Sequence, residues 1–359
     1  MDVNVALAQW SNLLIYSAMA VYAVAFIIYA FDLFGPAFAG EIPQAGSKAR
    51  LKAGSDARSD ARSKVSASAR RGGTGSSTAT AVLDGGSDGA GSDSAAGADA
   101  GSGAASKTPD LRRWARAGTA LTVLAGLLHV AAIVTRTLAV MRVPWSNMME
   151  YALIASAMVT VGYLVLLAVR DVRYLGTFVT FSVLLTLGLC ITVFHTPAAQ
   201  IIPALNNYWI WIHVPIAILS TVLLYLSAII AIVQMLRSRS ESKPWRGPLR
   251  FINMLPRSKE LEKISYRLAA VGFVTWTFTL VAGAFWAEIA WGRYWGWDSK
   301  EIWTFVVWVV YAAYLHARAT RGWTANRVAV LNLVGIATVL FNFSVVNLYF
   351  NGLHAYSGV

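Results

Sequence analysis

The sequence predicts an all-α integral membrane protein, a polytopic bundle of about eight transmembrane helices. Of its 359 residues, 57% are hydrophobic and only 13% are charged, which is typical of multi-pass membrane proteins rather than of soluble domains. Apolar runs long enough to cross a bilayer, which takes roughly 20 helical residues, recur along the chain. We expect spans at residues 8–31, 115–140, 148–169, 174–194, 209–236, 267–288, 301–317 and 328–349.

The first span is expected to be retained, because it has neither a basic segment before it nor a clear small-residue cleavage site. It makes up a first region, residues 1–36. Residues 37–112 are dominated by Ala, Gly and Ser, as in GSDGAGSDSAAGADAGSGAAS. Such a composition cannot bury a core, so we expect a disordered linker there, followed by one membrane domain over residues 113–359.

The distribution of basic residues predicts the orientation of the bundle. The formal net charge is +12, and 26 of the 30 Lys and Arg lie in or beside alternate connections, which must share one side of the membrane. The four others are Arg136, Arg142, Arg293 and Lys300. The positive-inside rule places the basic connections, including the linker, in the cytoplasm. Both termini and the connection after the sixth span are then expected outside, and we predict no binding of nucleic acid.

Residues 291–303, WGRYWGWDSKEIW, are the most informative segment of the chain. They carry four Trp and two Gly and fall between two apolar spans. Trp supplies a broad, rigid, apolar ring, and Gly lets a flat ligand approach the backbone. We interpret the segment as a surface for a large planar apolar molecule. The alternative is an interfacial Trp belt, which needs only scattered aromatic residues.

Three of the five His are candidate metal ligands. His213 lies about a turn into the fifth span and His354 just past the eighth, both at the membrane face of the Trp-rich segment. Neutral imidazole is a common axial ligand of haem iron, so these two could hold a porphyrin from above and below. His316 lies near the cytoplasmic end of the seventh span, about 26 Å along the helix from Ser299, and could serve only a second, inner site. The alternative for each His is a hydrogen bond at a helix end or an interfacial position.

The two other His have weaker functional interpretations. His129 lies in the middle of the second span, where a metal ligand and an interhelical hydrogen bond are equally open. His195 follows the fourth span and is expected in a loop or at a rim. Cys190, the one cysteine, is expected to be a small buried hydrophobic residue, and it leaves no thiol pair for redox chemistry.

Charged residues near the Trp-rich segment have structural and functional interpretations side by side. Asp298, followed by Glu301 three residues later, predicts a capping box at the start of the seventh helix. Asp298 could also orient Trp297 through its indole N–H. Arg136 and Arg293 are cations that could pair with haem propionates, because Arg binds carboxylates through two parallel hydrogen bonds.

The tryptophan spacing resembles the "WWD" signature of membrane proteins that handle haem in cytochrome c biogenesis. The matching positions are Trp291, Gly292, Trp295, Trp297 and Asp298. With His before and after this motif, the chain resembles the CcsA or ResC type of cytochrome c synthesis protein, often labelled CcsB in actinobacteria. The stretch RTLAVMRVPWSNMMEY adds further similar positions, Arg136, Pro144, Asn147 and Glu150. The resemblance covers roughly residues 115–359, and the long linker is a departure from it.

The resemblance implies haem delivery and attachment to apocytochrome c at the outer membrane face, within a synthesis complex of the bacterial plasma membrane. The implied partners are a ResB-like membrane protein and an apocytochrome c with a Cys-x-x-Cys-His segment. The haem would be b-type, non-covalently held and in transit. His213 and His354 would be its outer ligands, beside the WWD positions, and His316 would contribute to an inner site. Haem-lyase activity is expected only together with the partner.

Two other functions stay open from the sequence. One is a haem transporter or chaperone of the CcmC type, which passes haem to a separate ligase. The other is a structural membrane subunit with an aromatic belt and no cofactor. A Soret band in the spectrum of the purified protein would exclude the structural subunit, and an adjacent gene for a ResB-like protein would favour the synthesis complex.

Overall fold

The computed structural model describes residues 3–39, 112–201, 206–350 and 352–354. Most of the expected linker, residues 40–111, lies outside the described residues. Within the described residues every regular element is a helix, and eight of the helices are long and apolar enough to cross a membrane. The predicted all-α bundle of about eight spans is confirmed, and the chain is a multi-pass membrane protein.

The eight long helices coincide with the predicted spans and most extend beyond them. They are α1 (Val5–Ala39), α2 (Arg112–Val140), α3 (Met148–Val169), α4 (Gly176–Thr192), α5 (Ile210–Ser242), α6 (Ser258–Trp291), α7 (Ser299–Ala319) and α8 (Ala325–Phe343). A short helix, α9 (Val345–Tyr349), follows α8 after one residue. Two 3-10 segments, Arg173–Leu175 and Gly247–Met254, precede α4 and α6.

Helix α6 shows why the helices outrun the apolar spans. It begins at Ser258 instead of residue 267, and its added first turns read SKELEKISY. Glu and Lys are good helix formers, and Leu261 within these turns is fully buried. Hydropathy therefore marks the part of a helix that suits the bilayer, whereas the helix itself continues until its hydrogen bonds end.

The bundle has two hydrophobic cores that share α5. The first core joins α1 to α5 through buried residues such as Leu153, Leu187 and Ile218. The second core joins α5 to α8 through residues such as Leu224 and Trp276. Helix α5 therefore lies between two groups of helices, and the candidate site lies at one end of the second group.

Buried polar side chains tie the second group together. Asn332 on α8 donates through Nδ2 to Oγ of Ser227 on α5 at 2.8 Å, and Ser227 Oγ donates to the carbonyl oxygen of Ser265 on α6 at 2.8 Å. Interhelical hydrogen bonds of this kind contribute about 0.6 kcal/mol each on average in membrane proteins. Together they fix the mutual register of α5, α6 and α8.

A buried ion cluster holds the connection between α2 and α3. Glu150 is fully buried and accepts from Arg136 Nε at 3.2 Å and from Arg142 Nη1 at 3.0 Å. Arg136 also donates through Nη2 to the carbonyl oxygen of Thr196, at 2.9 Å, which fastens the segment after α4. Buried charges are tolerated when they are paired and hydrogen-bonded, as these are. The cluster thereby holds residues 145–148 in place, and these line the candidate site.

Candidate functional site

The Trp loop, residues 292–298, connects α6 to α7 and is closed by a helix cap at each end. Gly292 ends α6 with a φ of +70°, a left-handed conformation that glycine adopts without strain. At the start of α7, Asp298 Oδ1 accepts from the N–H of Lys300 at 3.0 Å, and Glu301 Oε2 accepts from the N–H of Asp298 at 3.1 Å. The predicted capping box is confirmed.

Glu301 holds the interior of the Trp loop as well as capping α7. Its Oε2 accepts from the N–H of Gly296 at 2.7 Å, and its Oε1 accepts from Arg293 Nη1 at 3.3 Å. A Cβ at position 296 would overlap the Arg293 guanidinium, so the loop closes this tightly only around a glycine. The sequence pattern predicts the cap alone, and these loop contacts emerge from the structure.

The three tryptophans of the motif have different surroundings. Trp291 and Trp295 line a cavity, whereas Trp297 does not line it and is 70% exposed. The rings of Trp295 and Trp297 meet edge to face with centroids 5.8 Å apart. Trp297 has a φ of +61°, a left-handed conformation that costs a residue with a side chain roughly 1–2 kcal/mol. The loop thus presents Trp297 outward, beside the cavity.

The cavity, of about 250 Å³, lies against the Trp loop among α5, α6, α7 and the end of α8. His213 and His354 both line it, together with Trp291 and Trp295. The walls are largely apolar and aromatic; they include Trp145, Tyr151, Trp276, Trp286 and Phe343. An apolar cavity with a few polar groups directed into it is the usual form of a small-molecule site.

His213 enters the cavity from the first turn of α5. Its ring packs over Gly283 of α6, where an added Cβ would lie 3.0 Å from His213 Cε1. It also meets Trp286 edge to face, with centroids 5.5 Å apart. Because Nδ1 is buried against this wall, Nε2 is the nitrogen available to a ligand in the cavity.

His354 reaches the cavity from the segment after α9, and Asp298 holds it there. Its Nδ1 lies 3.6 Å from Asp298 Oδ1, and the N–H of Leu353 donates to Asp298 Oδ2 at 2.7 Å. Gly352 passes so close that an added Cβ would come within 2.6 Å of the same carboxylate. The ring also contacts Trp291, with centroids 4.6 Å apart. A carboxylate beside Nδ1 orients an imidazole for metal binding through Nε2.

The electrostatics favour a neutral imidazole beside an ionised carboxylate. Burial lowers the pKa of His354 below its ordinary value, and the nearby Asp298 only partly offsets this. Burial would raise the pKa of Asp298, but the N–H donors of Lys300 and Leu353, together with His354, hold it below its ordinary value. At neutral pH the His354 ring therefore keeps a lone pair for a metal.

Asp298 does not orient Trp297, contrary to the expectation from the sequence. Its two oxygens contact Lys300 N, Leu353 N and His354 Nδ1, while the Trp297 ring is largely exposed. The contact between positions 298 and 354 could not be read from the sequence, because it joins segments that only folding brings together.

Arg136 and Arg293, our hypothetical partners of haem propionates, do not line the cavity. Their guanidinium groups are bound to Glu150 and Glu301 respectively. Among the described residues, the Lys or Arg side chain that lines the cavity is instead Lys300, which the sequence pattern did not single out.

The three remaining His lie apart from the cavity. His316 is exposed near the far end of α7, about 26 Å along the helix from Ser299 at 1.5 Å per residue. His129 is fully buried with its ring edge-on to Tyr22, centroids 6.1 Å apart, and His195 is exposed after α4. Cys190 is fully buried, as predicted.

The donor set indicates what kind of ligand fits. In the part of the chain that the structure describes, no group of three or more His, Cys, Asp or Glu could hold a bare metal ion. Two imidazoles on separate elements, with aromatic walls between them, suit a planar metal complex with open axial positions. Haem is such a complex.

Comparison with curated proteins finds relatives named cytochrome c biogenesis protein CcsA. The protein of Prochlorococcus marinus is 34% identical over 180 residues, which are 44% of this chain and 57% of that protein. The protein of Guillardia theta is 37% identical over 172 residues, 44% of this chain and 57% of that protein. The protein of Chlamydomonas reinhardtii is 36% identical over 159 residues, 44% and 43%. The match thus spans about half the length of these relatives.

A solved structure shares the fold. The cytochrome c haem lyase CcmF superposes with a TM-score of 0.56 at 15% sequence identity, over 96% of this chain and 47% of that chain. The family model described as cytochrome C assembly protein matches residues 145–354, more than half of the chain. That range begins at the first cavity-lining residue, Trp145, and ends at the last, His354. The chain belongs to the cytochrome c assembly protein family.

Proposed function

We propose that this protein binds haem between His213 and His354 and presents it for attachment to apocytochrome c. The observation that carries the proposal is the convergence of two imidazoles from distant segments on one aromatic cavity, one of them beside a carboxylate at 3.6 Å. Membership of the cytochrome c assembly family and the CcsA relatives support the same substrate. In this proposal the haem is b-type and held without a covalent bond. The one cysteine of the sequence, Cys190, is buried in α4 and offers no exposed thiol for covalent attachment.

The residues of the cavity have separate tasks in this proposal. Nε2 of each His binds the iron axially, while Trp291 and Trp295 cover the apolar macrocycle and exclude water. Asp298 orients His354, and Glu301 holds the Trp loop. Attachment adds each cysteine S–H of the apoprotein across a vinyl C=C, so sulfur bonds to one carbon and the proton to the other, with no net redox change. The contribution of this chain is to hold the reactants in register.

A second haem position at His316 belongs to the proposal. His316 is exposed at the far end of α7 and cannot reach the cavity, so it would bind haem before transfer and would need another surface to complete the site. A ResB-like membrane partner supplies that surface in our proposal, and lyase activity then belongs to the complex.

In our proposal the cavity lies at the outer face of the bacterial plasma membrane, with both termini outside. The support is the charge asymmetry, 26 of 30 Lys and Arg on the other side. The Cys-x-x-Cys-His segment of the apocytochrome c would then reach the cavity on the outer side of the membrane, where the exported apoprotein emerges.

Histidine replacement tests the ligand pair. His213→Ala and His354→Ala are each expected to change the haem spectrum of the purified full-length complex and to abolish cytochrome c maturation in cells. His195→Ala, an exposed His outside the cavity, is the matched control and should behave as wild type. Added imidazole should restore maturation to either variant, since it supplies the missing nitrogen donor. An unchanged spectrum and unchanged maturation in both variants would disprove the ligand pair.

The inner position is tested by His316→Ala. Total haem loading is expected to fall, because the first binding position is lost, and external imidazole should restore less than it does for the cavity variants. Haem loading equal to wild type would rule His316 out as a ligand. The haem-chaperone function would be favoured if both cavity variants change the haem spectrum as expected but the wild-type protein, reconstituted with its partner, shows no lyase activity.

A further inference from the structure

Lys300 is a cation in the cavity that the ligand pair leaves unused. It is the second residue of α7 and lines the cavity with His213 and His354. Among the described residues of the cavity wall it is the one Lys or Arg. A charged side chain at such a position is costly to desolvate, which calls for an explanation.

The hydrogen bonds of Lys300 leave part of its capacity open. Nζ donates to the carbonyl oxygen of Asn342 at 2.8 Å and to Oδ1 of Asn347 at 2.9 Å, both neutral acceptors. An ammonium group has three N–H donors, so one remains. The neighbouring carboxylates are engaged elsewhere: Asp298 contacts His354, and Glu301 contacts Arg293.

The break between α8 and α9 fixes the position of this ammonium. Asn347 Nδ2 donates to the carbonyl oxygen of Phe343 at 2.8 Å, which sets the amide so that its oxygen faces Lys300. The carbonyl oxygen of Lys300 accepts from Thr304 Oγ1 at 2.7 Å within α7. The side chain is therefore held by hydrogen bonds to two helices, in the wall of a largely apolar cavity.

We propose that Lys300 binds a propionate carboxylate of the haem and thereby determines how the macrocycle is turned in the cavity. The inference rests on haem as the cavity ligand. Charge-assisted N–H to carboxylate hydrogen bonds are among the stronger ones in proteins. The propionates and the vinyl groups of haem lie on opposite edges of the ring. Lys300 therefore directs the vinyl carbons away from itself, toward the thiols that must reach them.

Esterified haem separates this role from a structural one. Haem is compared with haem dimethyl ester, in which both carboxylates are neutral. Each compound is titrated into the complex of the full-length chain with its ResB-like partner, for wild type and for the variants Lys300→Met, Lys300→Arg and Lys263→Met. Lys263 is an exposed lysine near the opposite end of α6 and serves as the matched control. Wild type and the Lys263 variant are expected to bind haem at least roughly tenfold more tightly than the ester, the size of one charged hydrogen bond.

Lys300→Met is expected to bind haem and its ester equally, at the affinity that wild type shows for the ester, with the two-His spectrum unchanged. Lys300→Arg should keep the preference for haem, because the positive charge remains. Equal binding of both compounds by wild type overturns the proposal, and this measurement needs no variant to fold. An undiminished preference in Lys300→Met overturns it too. If haem-loaded wild type shows no two-His spectrum, haem ligation itself is rejected. Failure of the proposed ligand pair is therefore distinguishable from failure of the Lys300 proposal.

Discussion

Asp298 connects the start of α7 to the position of His354. One carboxylate accepts from the N–H of Lys300, accepts from the N–H of Leu353 and stands 3.6 Å from His354 Nδ1. The helix cap and His354, the proposed haem ligand, therefore depend on the same two oxygens. A change that shifts the first turn of α7 will shift His354 with it.

At the residue scale, Gly283→Ala tests how closely the ring of His213 must be held. The added Cβ would lie 3.0 Å from Cε1 and 3.4 Å from Nδ1 of His213, so the ring must move. Overpacking of this kind costs about 1–3 kcal/mol, and we expect haem affinity to fall by roughly tenfold. Haem titration of the purified variant, followed at the Soret band, measures this.

Gly188→Ala on α4 is the matched control, because a Cβ there meets nothing within 4 Å. It should bind haem as wild type does, and it should be no less stable, since Ala is the better helix former. Equal haem affinity in the two glycine variants would mean that the ring has room to adjust, contrary to the packing described here.

At the scale of elements, the buried ion cluster makes the connection between α2 and α3 rigid. Glu150→Gln removes the negative charge and leaves Arg136, 2% exposed, and Arg142, 12% exposed, without a counter-ion. Removing one partner of a buried ion pair costs about 3–5 kcal/mol. We expect a large fall in the melting temperature of the detergent-solubilised protein, measured by thermal unfolding.

The comparison variant is Asp171→Asn, which removes a carboxylate that is 60% exposed and lies 3.6 Å from Arg173. An exposed pair of this kind contributes about 0–1 kcal/mol, so the melting temperature should barely change. A Glu150→Gln variant as stable as Asp171→Asn would show that the cluster is not needed for stability.

The elements themselves were largely predictable, and so was one part of the site. Apolar runs located all eight spans, and the local spacing of Asp298 and Glu301 gave the start of α7. The partners of Arg136 and Lys300 were not predictable, because a cation in sequence does not reveal which carboxylate or carbonyl folding brings to it. In the structure Arg136 forms an ion pair with the buried Glu150, and Lys300 lines the cavity.

At the scale of the whole molecule, the four basic residues outside the basic connections do not weaken the charge asymmetry. Each is bound within the protein near the Trp-loop end of the bundle. Arg136 and Arg142 contact Glu150, Arg293 contacts Glu301, and Lys300 binds Asn342 and Asn347. The Arg136 and Arg142 side chains are 2% and 12% exposed, so these two charges are held inside the fold, whereas Arg321 at the other end is exposed. At the Trp-loop end, the positive charge that is exposed to solvent is therefore smaller than the sequence count indicates.

The last prediction concerns which face is outside. Cys190 is fully buried and is the one cysteine of the sequence, so a cysteine introduced at the surface is labelled against a silent background. Ala199, at the Trp-loop end, and Arg321, at the opposite end, are both exposed. In intact cells, a membrane-impermeant maleimide should label Ala199→Cys and leave Arg321→Cys unlabelled until the membrane is permeabilised. The reverse pattern would place the cavity in the cytoplasm, where it could not meet an exported apocytochrome.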